Sequence, residues 1–248
     1  LFIRRVDKNK ELGYLQPMRF KRVLLLVLAL SLFPLSQGLS AHPHLRLFNR
    51  FEIVWEGQKL NGMWLEWTFD DFFSSDIIQA YDYNCDKKFN AKETQAVFAN
   101  AFAYISEYYY FTFIRVGEKR YNPNSVSRFS ARVSGNKLVY RFYVELSAYQ
   151  SKDLYLSVYD YTFFCDIPYQ QERPVSFQYD PALVKPSYSA EENKKYPIYY
   201  NPLGTATDTT IYYKWKKGLM TFYPKEIHLS YELLEASHPP PDAIPLGQ

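Results

Sequence analysis

Arg128-Phe129-Ser130-Ala131-Arg132-Val133-Ser134-Gly135-Asn136-Lys137-Leu138-Val139-Tyr140-Arg141-Phe142-Tyr143-Val144-Glu145-Leu146 alternates apolar and polar residues on both sides of a turn-compatible triplet, Ser134-Gly135-Asn136. Phe129, Ala131 and Val133 fall on one face of the first arm, and Leu138, Tyr140, Phe142, Val144 and Leu146 on one face of the second. A period of two across a tight turn is the signature of an antiparallel hairpin with one buried face.

The same grammar extends outward. Upstream, Phe51 to Trp55 and Leu60 to Trp67 flank the tetrad Glu56-Gly57-Gln58-Lys59 and read as a second hairpin. Tyr110 to Val116 is β-rich and ends at Gly117. Downstream, Leu154, Leu156 and Val158 continue the alternation and deliver Asp160 at a strand end, before Tyr161-Thr162-Phe163-Phe164-Cys165-Asp166. An acid there either closes a turn or ligates a metal. Ile211, Tyr213 and Trp215 resume the alternation, and Ile227, Leu229 and Tyr231 form a last strand. The opposite face of that strand carries Glu226, His228, Ser230 and Glu232, so His228 reads as a solvated histidine. Between residues 179 and 210 the pattern fades into prolines and tyrosines, either an excursion over one end of the domain or unresolved strands. With 19% aromatic residues and nine glycines, the chain suits pleated, half-buried surfaces. We therefore expect a mainly β fold: an antiparallel, immunoglobulin-like β-sandwich of roughly seven to nine strands.

One segment interrupts it. Asp82-Tyr83-Asn84-Cys85-Asp86-Lys87-Lys88-Phe89-Asn90-Ala91-Lys92-Glu93 has oxygen-bearing side chains at the spacing of an EF-hand calcium loop. Asp82, Asn84 and Asp86, the Lys88 carbonyl, Asn90 and a bidentate Glu93 would surround a hard cation. Phe73, Ile77 and Tyr81 before the loop, and Phe98, Ala101, Phe102, Ile105 and Tyr109 after it, recur at helical spacing. A helix-loop-helix insertion is thus expected over about 71–108, after the second strand. Lys87 occupies the position usually held by glycine and must adopt a left-handed conformation costing about 1–2 kcal/mol. With Lys87, Lys88 and Lys92 offsetting the acids, calcium affinity is expected to be weak, on the order of 10⁻⁴–10⁻³ M.

The chain opens differently. Met18-Arg19-Phe20-Lys21-Arg22 followed by the apolar run Val23 to Phe33 reads as a secretion signal beginning at Met18. The run is shorter than the roughly 18 residues needed to span a bilayer. Leu39-Ser40-Ala41 offers a cleavage site that leaves His42 as the new N-terminus; cuts after Gly38 or Ser40, or an uncleaved anchor, are the alternatives. The expected organisation is an upstream segment plus signal over 1–41, a domain over 42–236 and a mobile Pro-rich tail over 237–248, with the mature protein periplasmic or secreted and without a transmembrane segment. Residues 1–41 hold seven of the 29 Lys+Arg and two of the 26 Asp+Glu, so the remainder carries 22 basic and 24 acidic residues. The basic balance belongs to the targeting segment, and net charge makes no case for nucleic-acid binding.

His42 and His44, one residue apart at that start, are candidate ligands for zinc, nickel, cobalt or copper, helped by the terminal amine or by Asp160. Cys85 and Cys165 are the two cysteines, and export permits a disulfide between them. It would close a loop of about 80 residues and favour the native state by roughly 4 kcal/mol.

Ala41-His42-Pro43-His44, Trp67-Thr68-Phe69-Asp70, the acidic loop, Tyr110-Phe111-Thr112 and Asp160 with its aromatic followers together resemble a bacterial family described as the periplasmic component of an ABC-type transport system. The resemblance covers most of residues 41–166. It implies a secreted domain serving uptake of nickel, cobalt or zinc, with a membrane metal transporter as partner. It carries His42 and His44, and Asp82, Asn84, Asp86 and Glu93, over as matching positions, whereas Lys87 departs from the family's glycine.

Three classes of function follow. A metal-binding accessory to transport uses His42 and His44. A copper-dependent oxidative enzyme would grip its ion through an N-terminal histidine. A non-catalytic binding module would use the tyrosine-rich segment 179–213, with calcium stiffening the scaffold. The sequence has no nucleophile elbow, phosphate-cradling glycine loop or histidine zincin motif, so the first class is preferred to the enzyme.

Overall fold

The computed structural model describes residues 44–205 and 207–235. The expected signal segment, His42 and the tail 237–248 lie outside the described residues. Among the described residues no helix is long and apolar enough to cross a membrane.

Strands β1 (Leu45–Glu56) and β2 (Lys59–Phe69) form the upstream hairpin, pairing Leu47 with Phe69 through to Glu56 with Lys59. Gly57 takes the left-handed conformation that this turn requires, at φ 58°. After the helical insertion come β3 (Thr112–Val116) and β4 (Lys119–Tyr121), then β5 (Ser127–Ser134) and β6 (Lys137–Glu145), the hairpin expected from alternation. β6 pairs with β2, and a Cβ at Gly62 would overlap the Tyr143 ring and the Val144 carbonyl, so this crossing tolerates only glycine. β7 (Leu154–Val158), β8 (Cys165–Asp166), β9 (Val175–Gln178), β10 (Val184–Glu192), β11 (Ile198–Tyr200), β12 (Met220–Phe222) and β13 (Lys225–Leu233) complete the described strands.

One sheet runs β5-β6-β2-β1-β8, with β9 also on β1; another runs β10-β13-β7-β3-β4; β11 and β12 make a third, small sheet. The protein is mainly β, as expected, with differences in detail. The described strands exceed the seven to nine expected, and two of the pairings are parallel: β8 and β9 both return to the open edge of β1. The tyrosine-rich segment contains β10 and β11. β10 escapes sequence detection because it is an edge strand: most of its residues face water, and Pro186 sits opposite Tyr231, where a missing N–H is tolerated. Ile211 to Trp215 is not a strand; only Tyr212 bridges to Tyr199.

Between β2 and β3 lie α1 (Asp71–Tyr81), α2 (Ala91–Val97), a π-helical turn (Phe98–Phe102) and a 3-10 stretch (Ala103–Phe111). This insertion completes the core. Val97, Phe102, Ile105 and Phe111 are buried with residues of both large sheets in one apolar cluster. Trp67 is fully buried against Phe102, Phe111 and Phe142, and its indole N–H donates to Asn49 Oδ1 at 3.0 Å. Burial of side chains this large contributes roughly 1.5–3 kcal/mol each. The 3-10 stretch ends in three successive left-handed residues, Tyr109, Tyr110 and Phe111, at φ 56°, 51° and 53°. Such strain persists only where surrounding packing over-determines it, and here buried Tyr108 and Phe111 bracket the segment.

Candidate functional site

Four chain segments far apart in sequence surround a cleft of about 530 Å³. The start of β1 supplies His44 and Leu45; the β2–α1 junction and α1 supply Asp70, Phe72, Phe73 and Asp76; the 3-10 stretch supplies Tyr104, Glu107, Tyr108 and Phe111; the corner after β7 supplies Asp160, Phe164 and Cys165. Thr207 completes the lining.

Asp70 joins two of these walls. Its Oδ1 accepts the Phe73 N–H at 2.9 Å and caps α1, while its Oδ2 accepts the Arg46 N–H at 2.9 Å. His44 is held by its backbone, its N–H donating to the Phe164 carbonyl at 2.9 Å, and its imidazole lies 4.8 Å from the Phe164 ring. The ring itself is at the exposed rim, as are the carboxylates of Asp76 and Glu107.

Asp160 is 2% exposed. Its Oδ1 accepts from the Thr162 backbone N–H at 2.8 Å and the Thr162 hydroxyl at 2.7 Å, and its Oδ2 accepts from the Cys165 N–H at 3.0 Å. Burial pushes the carboxyl above its usual value, and these hydrogen bonds oppose but do not cancel that shift. Asp160 therefore closes the turn at the cleft floor, one of the two roles its position allowed. Burial, and then the nearby Asp160, hold the Cys165 thiol well above its ordinary range, which makes it a poor nucleophile. Burial also raises the Tyr108 phenol, with Asp160 and then Glu107 adding to the effect. Asp160 and Cys165 also line a second cavity of about 300 Å³.

The cleft thus carries four carboxyl groups and one imidazole, with aromatic walls and no Lys or Arg in its lining. Its field favours cations. Asp70 stands out in the sequence only within the Trp67-Thr68-Phe69-Asp70 block, whereas Asp76, Glu107, Tyr104 and Tyr108 were not singled out. Their only local trace is the α1 start, where an N-capping acid precedes a helix whose exposed face carries Asp76.

The acidic loop between α1 and α2 is organised from within. Asp82 Oδ1 and Oδ2 accept the N–H groups of Asp86 (3.2 Å) and Lys87 (2.9 Å), and Asp86 Oδ1 accepts that of Lys88 at 2.8 Å. Asn84 reaches Asp86 through its side-chain amide at 3.1 Å. Asn90 caps α2, and Glu93, 2% exposed, accepts the Asn90 N–H at 2.9 Å and the Tyr83 N–H at 2.9 Å. Lys87 adopts φ 60°, the left-handed geometry its position demands.

Among the described residues no three His, Cys, Asp or Glu side chains come together as a metal-holding group. Of the transition-metal candidates, His44 and Asp160 line the same cleft. The disulfide does not form: Cys85 is a free thiol exposed in the acidic loop, and Cys165 is a free thiol buried at the cleft floor. His228 is half-buried and stacks on Tyr155 at 4.3 Å, so it is less solvated than alternation implied.

Fold and site define a mainly β domain whose helical insertion helps to build an acid-lined cleft. The chain belongs to the family described as protein of unknown function DUF1007, whose model matches residues 25–231. It is 30% identical over 104 residues to an uncharacterized 15.5 kDa protein in the trpE 3' region of Spirochaeta aurantia, covering 41% of this chain and 74% of that protein. It is 27% identical over 156 residues to an uncharacterized protein of Haemophilus influenzae, covering 60% of this chain and 73% of the relative. No solved structure matches it significantly.

Proposed function

We propose that the protein is an exported divalent-metal-binding protein, periplasmic or secreted, that serves a membrane transporter of nickel, cobalt or zinc. The observation that carries this reading is the cleft: His44 and Asp160 line it together with Asp70, Asp76 and Glu107, and no Lys or Arg does. An imidazole with carboxylates suits borderline divalent cations in kind. The described residues bring fewer than three donors together, so His42 and the mature terminal amine would complete the set. Asp160 acts in this reading by holding the floor of the cleft, since both of its oxygens already accept hydrogen bonds.

The test combines N-terminal sequencing of the exported protein with metal analysis and zinc and nickel titration of the same sample. His44→Ala should weaken binding by about 10- to 100-fold, with the fold intact by circular dichroism. Unchanged uptake after truncation of both His42 and His44 sinks the proposal.

A second reading has its own support. The left-handed Lys87 and the inward-turned oxygens of Asp82, Asn84 and Asp86 suit an EF-hand-like loop that takes calcium weakly and stiffens the insertion. The shared core of the two large sheets likewise supports an immunoglobulin-like sandwich as the finer description of the fold.

A further inference from the structure

The third sheet carries an exposed surface of aromatic, aliphatic and basic side chains. Between β11 and β12 the chain runs Thr209-Thr210-Ile211-Tyr212-Tyr213-Lys214-Trp215-Lys216-Lys217-Gly218-Leu219-Met220, and residues 209–225 contain four lysines and no acid. Tyr213 is 84% exposed, Trp215 57% and Met220 50%. Leu203, three residues beyond the Tyr200 that pairs with Met220, is 78% exposed. The segment has defined geometry: the Trp215 indole N–H donates to the Leu219 carbonyl at 3.1 Å, and the Leu219 N–H donates to the Lys216 carbonyl at 3.1 Å. The indole is thus fixed at the tip of a turn while much of its ring faces water, an arrangement that hydration disfavours unless something covers it.

Lysine and aromatic residues in alternation are the two signals of attachment to an anionic lipid surface. Trp and Tyr settle at headgroup depth, aliphatic side chains reach the acyl boundary, and lysines meet the anionic headgroups. Lys214, Lys216 and Lys217 are all exposed, and none forms an ion pair among the described residues. A nucleic acid fits less well. The exposed Leu203 and Met220 offer it nothing, the segment has no arginine, and residues 42–248 hold 24 acids against 22 bases. We infer that Leu203 and residues 209–220 form a docking surface for an anionic lipid bilayer, seated at the interface through Trp215 and its flanking lysines. The inference stands apart from metal binding, because neither Leu203 nor any side chain of residues 209–220 lines the cleft.

The experiment uses the full chain with vesicles of phosphatidylcholine and phosphatidylglycerol mixed about three to one, with and without brominated acyl chains, and with pure phosphatidylcholine vesicles as control. Trp55 and Trp67 are buried and Trp64 half-buried, so quenching by brominated lipid reports chiefly on Trp215. The expected result is quenching with the anionic vesicles, its loss in Trp215→Phe, and a weakening of partition by roughly fivefold per lysine replaced in the Lys214→Gln, Lys216→Gln, Lys217→Gln series. Reading the effect at Trp215 separates this surface from any lipid contact made by the apolar run 23–33. Absent quenching in the wild type, quenching that survives Trp215→Phe, or equal binding to pure phosphatidylcholine overturns the inference. So does duplex DNA that displaces the vesicles and protects Trp215 from an aqueous quencher.

Discussion

The acidic loop and the cleft are both rich in carboxylates, yet they are built in opposite ways. In the loop, consecutive residues supply donors and acceptors to one another, and its longest bond, Tyr83 N–H to Glu93, spans ten positions. In the cleft, Asp70 and Asp76 from α1 and its cap meet Glu107 and Asp160 from segments separated by whole strands and helices. Local chain chemistry shapes the first site, and packing of the core shapes the second. The loop should therefore survive perturbations that dismantle the cleft, and the converse should also hold.

The largest expected effect tests whether they share a foundation. Phe102 is fully buried against Trp67, Phe129 and Phe142 and ties the insertion to the sheet. Phe102→Ala should cost about 3–5 kcal/mol in urea unfolding. If the two sites differ as argued, metal uptake at the cleft should fall while any calcium response of the loop persists. Equal loss at both would erase the distinction.

A smaller effect concerns the cleft floor. Asp160→Asn places an amide donor opposite an N–H donor and should cost about 1–3 kcal/mol. The sign of its pH dependence follows from the direction of the shift. The folded carboxyl holds its proton more tightly than the unfolded one, so its stabilising contribution is complete below the ordinary carboxylate value. That contribution is lost as pH rises through the raised folded value. The stability gap between wild type and Asp160→Asn should accordingly be widest below about pH 4 and narrow above it, as measured by denaturant midpoints across pH. A gap that widens with pH would contradict the assigned burial.

The smallest expected effect sharpens the other side. Lys87→Gly keeps the backbone N–H that donates to Asp82 and removes a side chain held at φ 60°. Stability should rise by about 0.5–1 kcal/mol, after allowing for the greater freedom of glycine in the unfolded chain. Calcium titration followed by thermal melting should also show a larger stabilisation than in the wild type. A destabilised variant would mean that the lysine side chain supports the loop in another way.

Much of the framework was legible. The hairpin over Ser127–Ser134 and Lys137–Glu145, the pair β1 and β2, and the helical break after β2 follow from periods of two and of 3.6. Tyr110 and Phe111 misled, because β-prone aromatic residues there end a 3-10 stretch in left-handed geometry rather than begin a strand. Ile211 to Trp215 alternates without pairing beyond Tyr212, since alternation alone does not supply a partner edge.

What the amino-acid order determined by itself was whatever neighbours on the chain settle between them: which face of the hairpin strands is apolar, that a helical insertion follows β2, although α2 gives way to π and 3-10 turns after Val97, and that Lys87 must turn left-handed. Only the tertiary structure decided that β8 and β9 would close the edge of β1 in parallel, pairing Phe51 with Val175, and that His44 and Asp160 would meet across one cleft. The reason is range. Periodicity and capping act over a few residues, whereas contacts between distant segments depend on which surfaces remain unsatisfied once the local elements have formed.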